Sequence, residues 1–174
     1  MFQALKVVDL LVAGGGVAGA WAALTFKKYS PEGRVLLVSD EEPYRRAAIV
    51  KLVKNPGSRL QVLTESLQKA GVETLEGRVV EADPAGEAAV ETAEGEKKVA
   101  FKRLLLATGG KPGLLKVSNL NLKGVFTFRR RRDALQLGEY VKPGQHAFVV
   151  GGGLIGLEVA EALYRRGLKV TVVK

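Results

Sequence analysis

From Lys6 to Ala13 the chain is a mostly apolar run that flows into Gly14-Gly15-Gly16, the pattern of a buried parallel strand entering a tight turn. Val17 to Tyr29 follows without a breaker, with the small residues Gly19 and Ala20 in its first turn. That predicts a helix, which Ser30-Pro31-Glu32-Gly33 ends. A second apolar run, Val35 to Val38, leads to Ser39-Asp40, so the opening reads strand, glycine turn, helix, strand. Such a unit is parallel and right-handed. Charged and mixed residues from Asp40 to Lys54 predict an excursion with one or two helical turns around Ala47 to Val53, and Leu60 to Ala70 predicts a short helix closed by Gly71. From Val72 to Phe101 short alternating runs are separated by Asp83-Pro84-Ala85-Gly86 and Ala93-Glu94-Gly95-Glu96, the pattern of a small antiparallel meander. Arg103 to Ala107 is apolar again and runs into Thr108-Gly109-Gly110.

Between Gly113 and Gly144 the pattern predicts a loop, a short strand at Val125 to Phe128, and a helix from Arg131 to Tyr140 that Lys142-Pro143-Gly144 breaks. The opening pattern then restarts: strand His146 to Val150, glycine turn, helix Leu154 to Arg166, strand Lys169 to Val173. The predicted class is therefore α/β, a parallel sheet with a small antiparallel β-meander, followed by an incomplete second unit of the same kind.

The two glycine turns, VAGGGVAGA at 12–20 and VVGGGLIGL at 149–157, both fit G-x-G-x-x-G. Gly14, Gly16 and Gly19 form the first set and Gly151, Gly153 and Gly156 the second. The first glycine permits the turn, the second lets backbone approach a pyrophosphate, and the third lets helix pack on strand. Free amides at the helix start, around Val17 and Ala18 or Leu154 and Ile155, then hold the anion. An acid at the end of the second strand binds ribose hydroxyls in such units, and Asp40 stands there in the first. In the second unit the matching residue is Lys174, a cation that would suit a 2′-phosphate. Two dinucleotide loops with a meander between them suggest a flavin bound first and a nicotinamide second.

Composition narrows the chemistry. The chain has no Cys, which excludes disulfides, thiolate metal sites and thiol redox steps, and its single His, His146, leaves no basis for an imidazole metal cluster or a His-based triad. No metal site is expected. The formal charge of +9 makes anionic partners worth weighing, with Arg129-Arg130-Arg131-Arg132 as the strongest run. No aromatic residues interleave that run, which argues against nucleic acid and for a solvated junction before a helix. No apolar run reaches the roughly 20 residues of a membrane helix, and the start lacks a secretory signal pattern, so the expected location is cytoplasmic and off the membrane.

The segments VAGGGVAGAWAA, RVLLVSDEEPYRRAAIVK, LLLATGGKP and HAFVVGGGLIGLEVAEALYRRGLKVTVV resemble the FAD-dependent pyridine nucleotide-disulfide oxidoreductase superfamily, and the match runs along the whole chain. Tyr44-Arg45-Arg46 followed by Lys51 is similar to the branch of ferredoxin and rubredoxin reductases and apoptosis-inducing factor. The resemblance implies a Rossmann-like FAD/NAD(P)-binding fold with FAD and NAD(P)H as cofactors. It implies that Asp40 binds the adenosine ribose, Arg46 holds FAD and Lys51 sits near the isoalloxazine. It also implies that Ala107-Thr108-Gly109 closes over FAD and that backbone around Val79 and Val80 faces the adenine. Glu158 matches the acid of a Gly-x-Glu pattern near the meeting point of nicotinamide and flavin, and a pairing with Lys51 follows. Lys51 and Glu158 are thus the candidate catalytic pair.

Departures from the family matter equally. The cysteine pair of its disulfide reductases and the single cysteine of its peroxidase relatives are absent. So are the later segment that presents an Asp to the flavin and the carboxy-terminal interface domain. The expected division is a flavin-binding part at 1–113, a connecting segment at 114–144 and the start of a nicotinamide-binding domain at 145–174. On this reading the chain is a truncated form, a fragment or one subunit of a split enzyme, and its activity alone is in doubt. The leading function is an electron-transfer oxidoreductase that passes electrons from NAD(P)H through FAD to a small carrier protein or another acceptor. Two alternatives stay open: a non-catalytic binding module whose basic surface engages a protein or nucleic acid, and an assembly subunit completed by another chain or by a second copy through exposed apolar edges.

Overall fold

The computed structural model describes residues 7–173; Lys6, the expected start of the first strand, and Lys174 lie outside the described residues. Backbone contacts divide the chain into two compact units, Met1–Arg45 with Gln61–Gly110 and Arg46–Leu60 with Lys111–Lys174.

In the first unit, β1 (Leu10–Ala13), β2 (Val35–Ser39), β3 (Val72–Glu76) and β7 (Leu104–Leu106) form a parallel sheet in the order β3-β2-β1-β7. β1 is shorter than its apolar run. Asp9 and Leu10 amides both donate to the Arg34 carbonyl, so regular pairing begins only at Leu10, and Val8 makes a lone bridge to Phe101. All four residues of β1 are buried because both faces of the sheet are covered. On one face Leu10, Val12, Val35 and Leu37 pack with Ala20 and Ala23 of α1 (Val17–Tyr29) and Leu67 of α3 (Thr64–Lys69). On the other, Leu11, Leu36 and Val38 pack with Ala88, Val90 and Val99 of an antiparallel sheet. That sheet consists of β4 (Arg78–Asp83), β5 (Glu87–Thr92) and β6 (Gly95–Ala100) in sequential order.

Two expectations need correction in this unit. Val72–Glu76 is not part of the meander: it pairs parallel with β2, Val35 opposite Val72, and buries Val72 with the helices. Leu60 to Leu63 is not helical, because Val62 bridges Tyr44 and the Leu63 amide donates to the Pro43 carbonyl at 2.8 Å. α3 therefore starts at Thr64, and Gly71, at φ 74°, closes the turn after it.

The second unit holds a 3₁₀ turn (Arg46–Ala48), α2 (Val50–Lys54), α4 (Arg131–Tyr140), and the restarted pattern β8 (His146–Val150), α5 (Leu154–Arg165) and β9 (Lys169–Val173). β8 and β9 pair parallel, and α5 buries Val159, Ala160, Ala162 and Leu163. α2 packs on both α4 and α5. At Gly138 of α4 a side-chain carbon would lie 2.8 Å from the Leu52 carbonyl, so only glycine allows that approach. The strand expected at Val125 to Phe128 does not form. Phe126 instead meets the Tyr140 ring edge-on at 5.2 Å, a contact that needs no sheet partner. The helix expected to end at Arg166 ends at Arg165, with Arg166 as its cap.

The fold is thus α/β and Rossmann-like, with a parallel sheet, an antiparallel three-stranded sheet and a second, two-stranded unit. Among the described residues no helix is long and apolar enough to cross a membrane, and no cluster of potential metal ligands occurs.

Candidate functional site

Each glycine of the first loop does a different job. Gly14 sits at φ 114°, its amide donates to the Val38 carbonyl at 2.8 Å, and a side chain there would strike the Ala107 carbonyl. Ala107 is held in place by its own amide, which donates to the Ala13 carbonyl at 2.8 Å. The structure therefore brings the Ala107-Thr108-Gly109 turn against the first loop, as β7 lies beside β1. Gly16 caps α1 with φ −66° and ψ 178°, and nothing lies within 4 Å of a carbon added there. Gly19 has no such freedom, because an added carbon would run into the Gly14 carbonyl. The first helix-type bond is from the Ala20 amide to the Gly16 carbonyl. The Val17, Ala18 and Gly19 amides therefore precede the ladder and face outward at the positive end of the helix dipole. No acid occupies the first turn of α1. An open backbone cradle with free donors and no opposing carboxylate in that turn fits a diphosphate.

The second loop repeats this geometry. Gly151 lies at φ 110° with its amide on the Val173 carbonyl at 2.7 Å, and Gly153 caps α5 at φ −75° and ψ 175°. A carbon on Gly156 would strike the Gly151 carbonyl, whereas Gly151 and Gly153 face open space. The Leu157 amide makes the first helix-type bond, to Gly153, so the amides of Leu154, Ile155 and Gly156 are the free ones. Leu154 and Ile155 are exposed.

The other candidates divide between the units. Asp40 is exposed immediately after β2, in the first unit. Val80 is the extra residue of a β-bulge, since β4 shifts register between Val79 and Glu81, and it is exposed while Val79 packs inward. Arg46, half-buried on the 3₁₀ turn, and Lys51, exposed on α2, belong with the second unit, as does Glu158, exposed on α5. The expected pairing of Lys51 with Glu158 is not formed. The ion pair between α2 and α5 is Lys54 with Glu161, at 2.9 Å and one helical turn further along each helix. The Lys54 and Arg165 side chains, in that order, hold the Glu161 carboxyl below the usual carboxylate range by hydrogen bonding. Asp133 accepts the Arg129 and Arg130 amides at 2.8 Å each, so the arginine run is the capped entry to α4.

Two residues of the first loop's surroundings escaped the sequence reading. Gly15 is buried, and a side chain there would lie 2.6 Å from the Ser39 hydroxyl. That hydroxyl in turn donates to the Glu41 carbonyl at 2.7 Å, shaping the corner that carries Asp40. The run of three glycines was the available signal, with the middle one fitting no slot of the motif.

The family model described as pyridine nucleotide-disulphide oxidoreductase matches residues 8–174. The chain is 32% identical over 173 residues to the NAD(P)H coenzyme A polysulfide/persulfide reductase of Pyrococcus horikoshii, covering 94% of this chain and 39% of that protein. It is 31% identical over 170 residues to the ferredoxin–NAD(+) reductase component of the biphenyl dioxygenase system of Paraburkholderia xenovorans, covering 95% and 41%. The crystal structure of a ferredoxin reductase from Rhodopseudomonas palustris superposes with a TM-score of 0.83 at 29% identity, over 94% of this chain and 42% of that one. The chain spans about two fifths of the length of the relatives it matches. With both glycine loops inside the matched span, the chain belongs to the pyridine nucleotide-disulphide oxidoreductase family.

Proposed function

We propose that this chain carries the flavin-binding and nicotinamide-binding loops of an FAD-dependent NAD(P)H oxidoreductase of the electron-transfer kind. The observation that supports it is the repeated cradle: two strand–turn–helix units whose second glycine faces open space and whose third packs on the carbonyl of the first. FAD, when bound, supplies the step between two-electron donation by NAD(P)H and one-electron delivery to an acceptor. The chain's own part is to bind and orient. The amides of Val17, Ala18 and Gly19 would hold the FAD diphosphate, Asp40 the adenosine ribose, and the backbone at Val80 the adenine. Arg46 would hold FAD, and Lys51 would place a cation near the flavin ring system. The amides of Leu154, Ile155 and Gly156 would receive the nicotinamide cofactor's diphosphate, with Glu158 beside it.

In domain terms, 1–113 would be the flavin-binding part, 114–144 a connector and 145–174 the beginning of the nicotinamide-binding domain. The partner for electrons would be a small carrier protein in the cytoplasm. A completing chain or second copy is supported by one further observation. On the β8–β9 pair, Phe148, Val150 and Val173 are exposed on the face away from α5, and a two-stranded parallel sheet is not stable bare.

Titrating the purified chain with FAD while following flavin fluorescence tests the reading. Saturable quenching that Gly16→Ala weakens is the expected result. No quenching, with salt-sensitive DNA binding in its place, would favour the binding-module alternative.

A further inference from the structure

Three carbonyl groups at helix C-termini converge on one guanidinium. Arg166, the cap of α5, donates through Nη1 to the carbonyls of Val53, at 3.2 Å, and Gly138, and through Nη2 to that of Val141 at 3.2 Å. Val53 belongs to the last turn of α2, Gly138 to the last turn of α4, and Val141 is the cap of α4. Carbonyls in a last turn lack a partner within their helix and carry the negative end of its dipole. One half-buried cation therefore satisfies three acceptors. A lysine could not, because its three donors radiate from a point rather than forming a planar fork.

The consequence falls on α2. Five residues of helix do not hold themselves in place in water. What fixes α2 is its burial of Val50, Leu52 and Val53, the close approach at Gly138, the Lys54–Glu161 pair, and the grip of Arg166 on Val53. The ammonium of Lys51 makes no hydrogen bond or ion pair among the described residues, so the backbone of α2 is what sets where its flexible stem is rooted.

We propose that Arg166 is a positioning residue for Lys51. By tying the ends of α2 and α4 to the end of α5, it holds the backbone that carries Lys51 relative to the helix that opens at the second glycine loop. This rests on the reading of Lys51 as a cation that faces cofactor.

The test compares R166K, R166A, K51Q and the double variant K51Q/R166K with the parent chain. Two readouts are taken: hydrogen exchange of residues 46–60 and the dissociation constant of FAD from fluorescence quenching. R166K keeps the charge and serves if R166A does not fold. The expected result is exchange in 46–60 about tenfold faster or more in R166K, the loss of hydrogen bonds to a charged donor, with 17–29 unchanged. FAD binding should weaken in R166K as in K51Q, and the double variant should be no weaker than K51Q, since the two residues act through one contact. Unchanged exchange in R166K overturns the proposal. Faster exchange with additive effects of K51Q and R166K on FAD also overturns it, leaving Arg166 a structural staple and the Lys51 reading intact. If K51Q leaves FAD binding unaltered, the Lys51 reading fails and the inference goes with it.

Discussion

The ammonium of Lys54 lies 2.9 Å from the carboxylate of Glu161, and this pair, rather than Lys51 with Glu158, bridges α2 and α5. Glu161 is shared by Lys54 and Arg165, whereas Lys51 and Glu158, one turn earlier, make no ion pair with each other. An uncommitted cation is free to meet an anionic ligand, which is the arrangement a cofactor-facing lysine requires.

Glu161 makes stability depend on pH in the acid range. Its folded pKa is depressed, so its contribution is complete above the unfolded carboxyl pKa and is lost as pH falls through the folded one. Thermal midpoints of the parent and of Glu161→Gln, followed from neutral pH into the range below ordinary carboxylates, should converge as pH falls. Since both side chains are over a third exposed, raising the salt concentration should also narrow the gap. A constant gap at every pH would contradict this.

Gly19 and Gly16 should respond in opposite ways to the same added methyl group. Gly19→Ala forces a carbon into the Gly14 carbonyl and should cost about 3 kcal/mol or more of stability. Gly16→Ala meets nothing and should cost below about 1 kcal/mol, yet weaken FAD binding about tenfold or more by filling the cradle. Denaturant unfolding and FAD titration of both variants separate the two effects. Gly156 and Gly153 should repeat the contrast for the nicotinamide cofactor.

Leu37, fully buried in the middle of β2, packs between the sheet and the helices above it. Leu37→Ala should destabilise the first unit by roughly 2–5 kcal/mol, read as a lower denaturant midpoint. A loss under 1 kcal/mol would mean that this face of the sheet is not close-packed.

Asp133 holds the entry to α4 with two backbone hydrogen bonds. Asp133→Ala should cost about 1–2 kcal/mol and raise hydrogen exchange in 129–134, while Asp133→Asn should retain part of the bonding. Equal loss in both variants would assign the effect to charge alone.

Local patterns along the chain were enough to place α1 at Val17–Tyr29, α4 at Arg131–Tyr140, and β8 and β9 at His146–Val150 and Lys169–Val173. They also identified both glycine loops, because a strand, a turn that only glycine tolerates and the start of a helix are settled among neighbours in sequence. Pairing is not settled there. Val72–Glu76 alternates like a meander strand, yet it lies parallel to β2, because which edge a strand joins depends on burial against residues far away in the chain. Val125 to Phe128 has strand composition and no strand; Phe126 is engaged by the Tyr140 ring of α4 instead. The candidate site follows the same division. The glycines and Asp40 are legible from spacing, whereas the grouping of Arg46–Leu60 with the later unit comes from packing. So do the exchange of Lys51–Glu158 for Lys54–Glu161 and the convergence of three helix ends on Arg166. Hydrogen-bond donors and apolar faces are written residue by residue, but which of them meet is decided by the free energy of burying many at once.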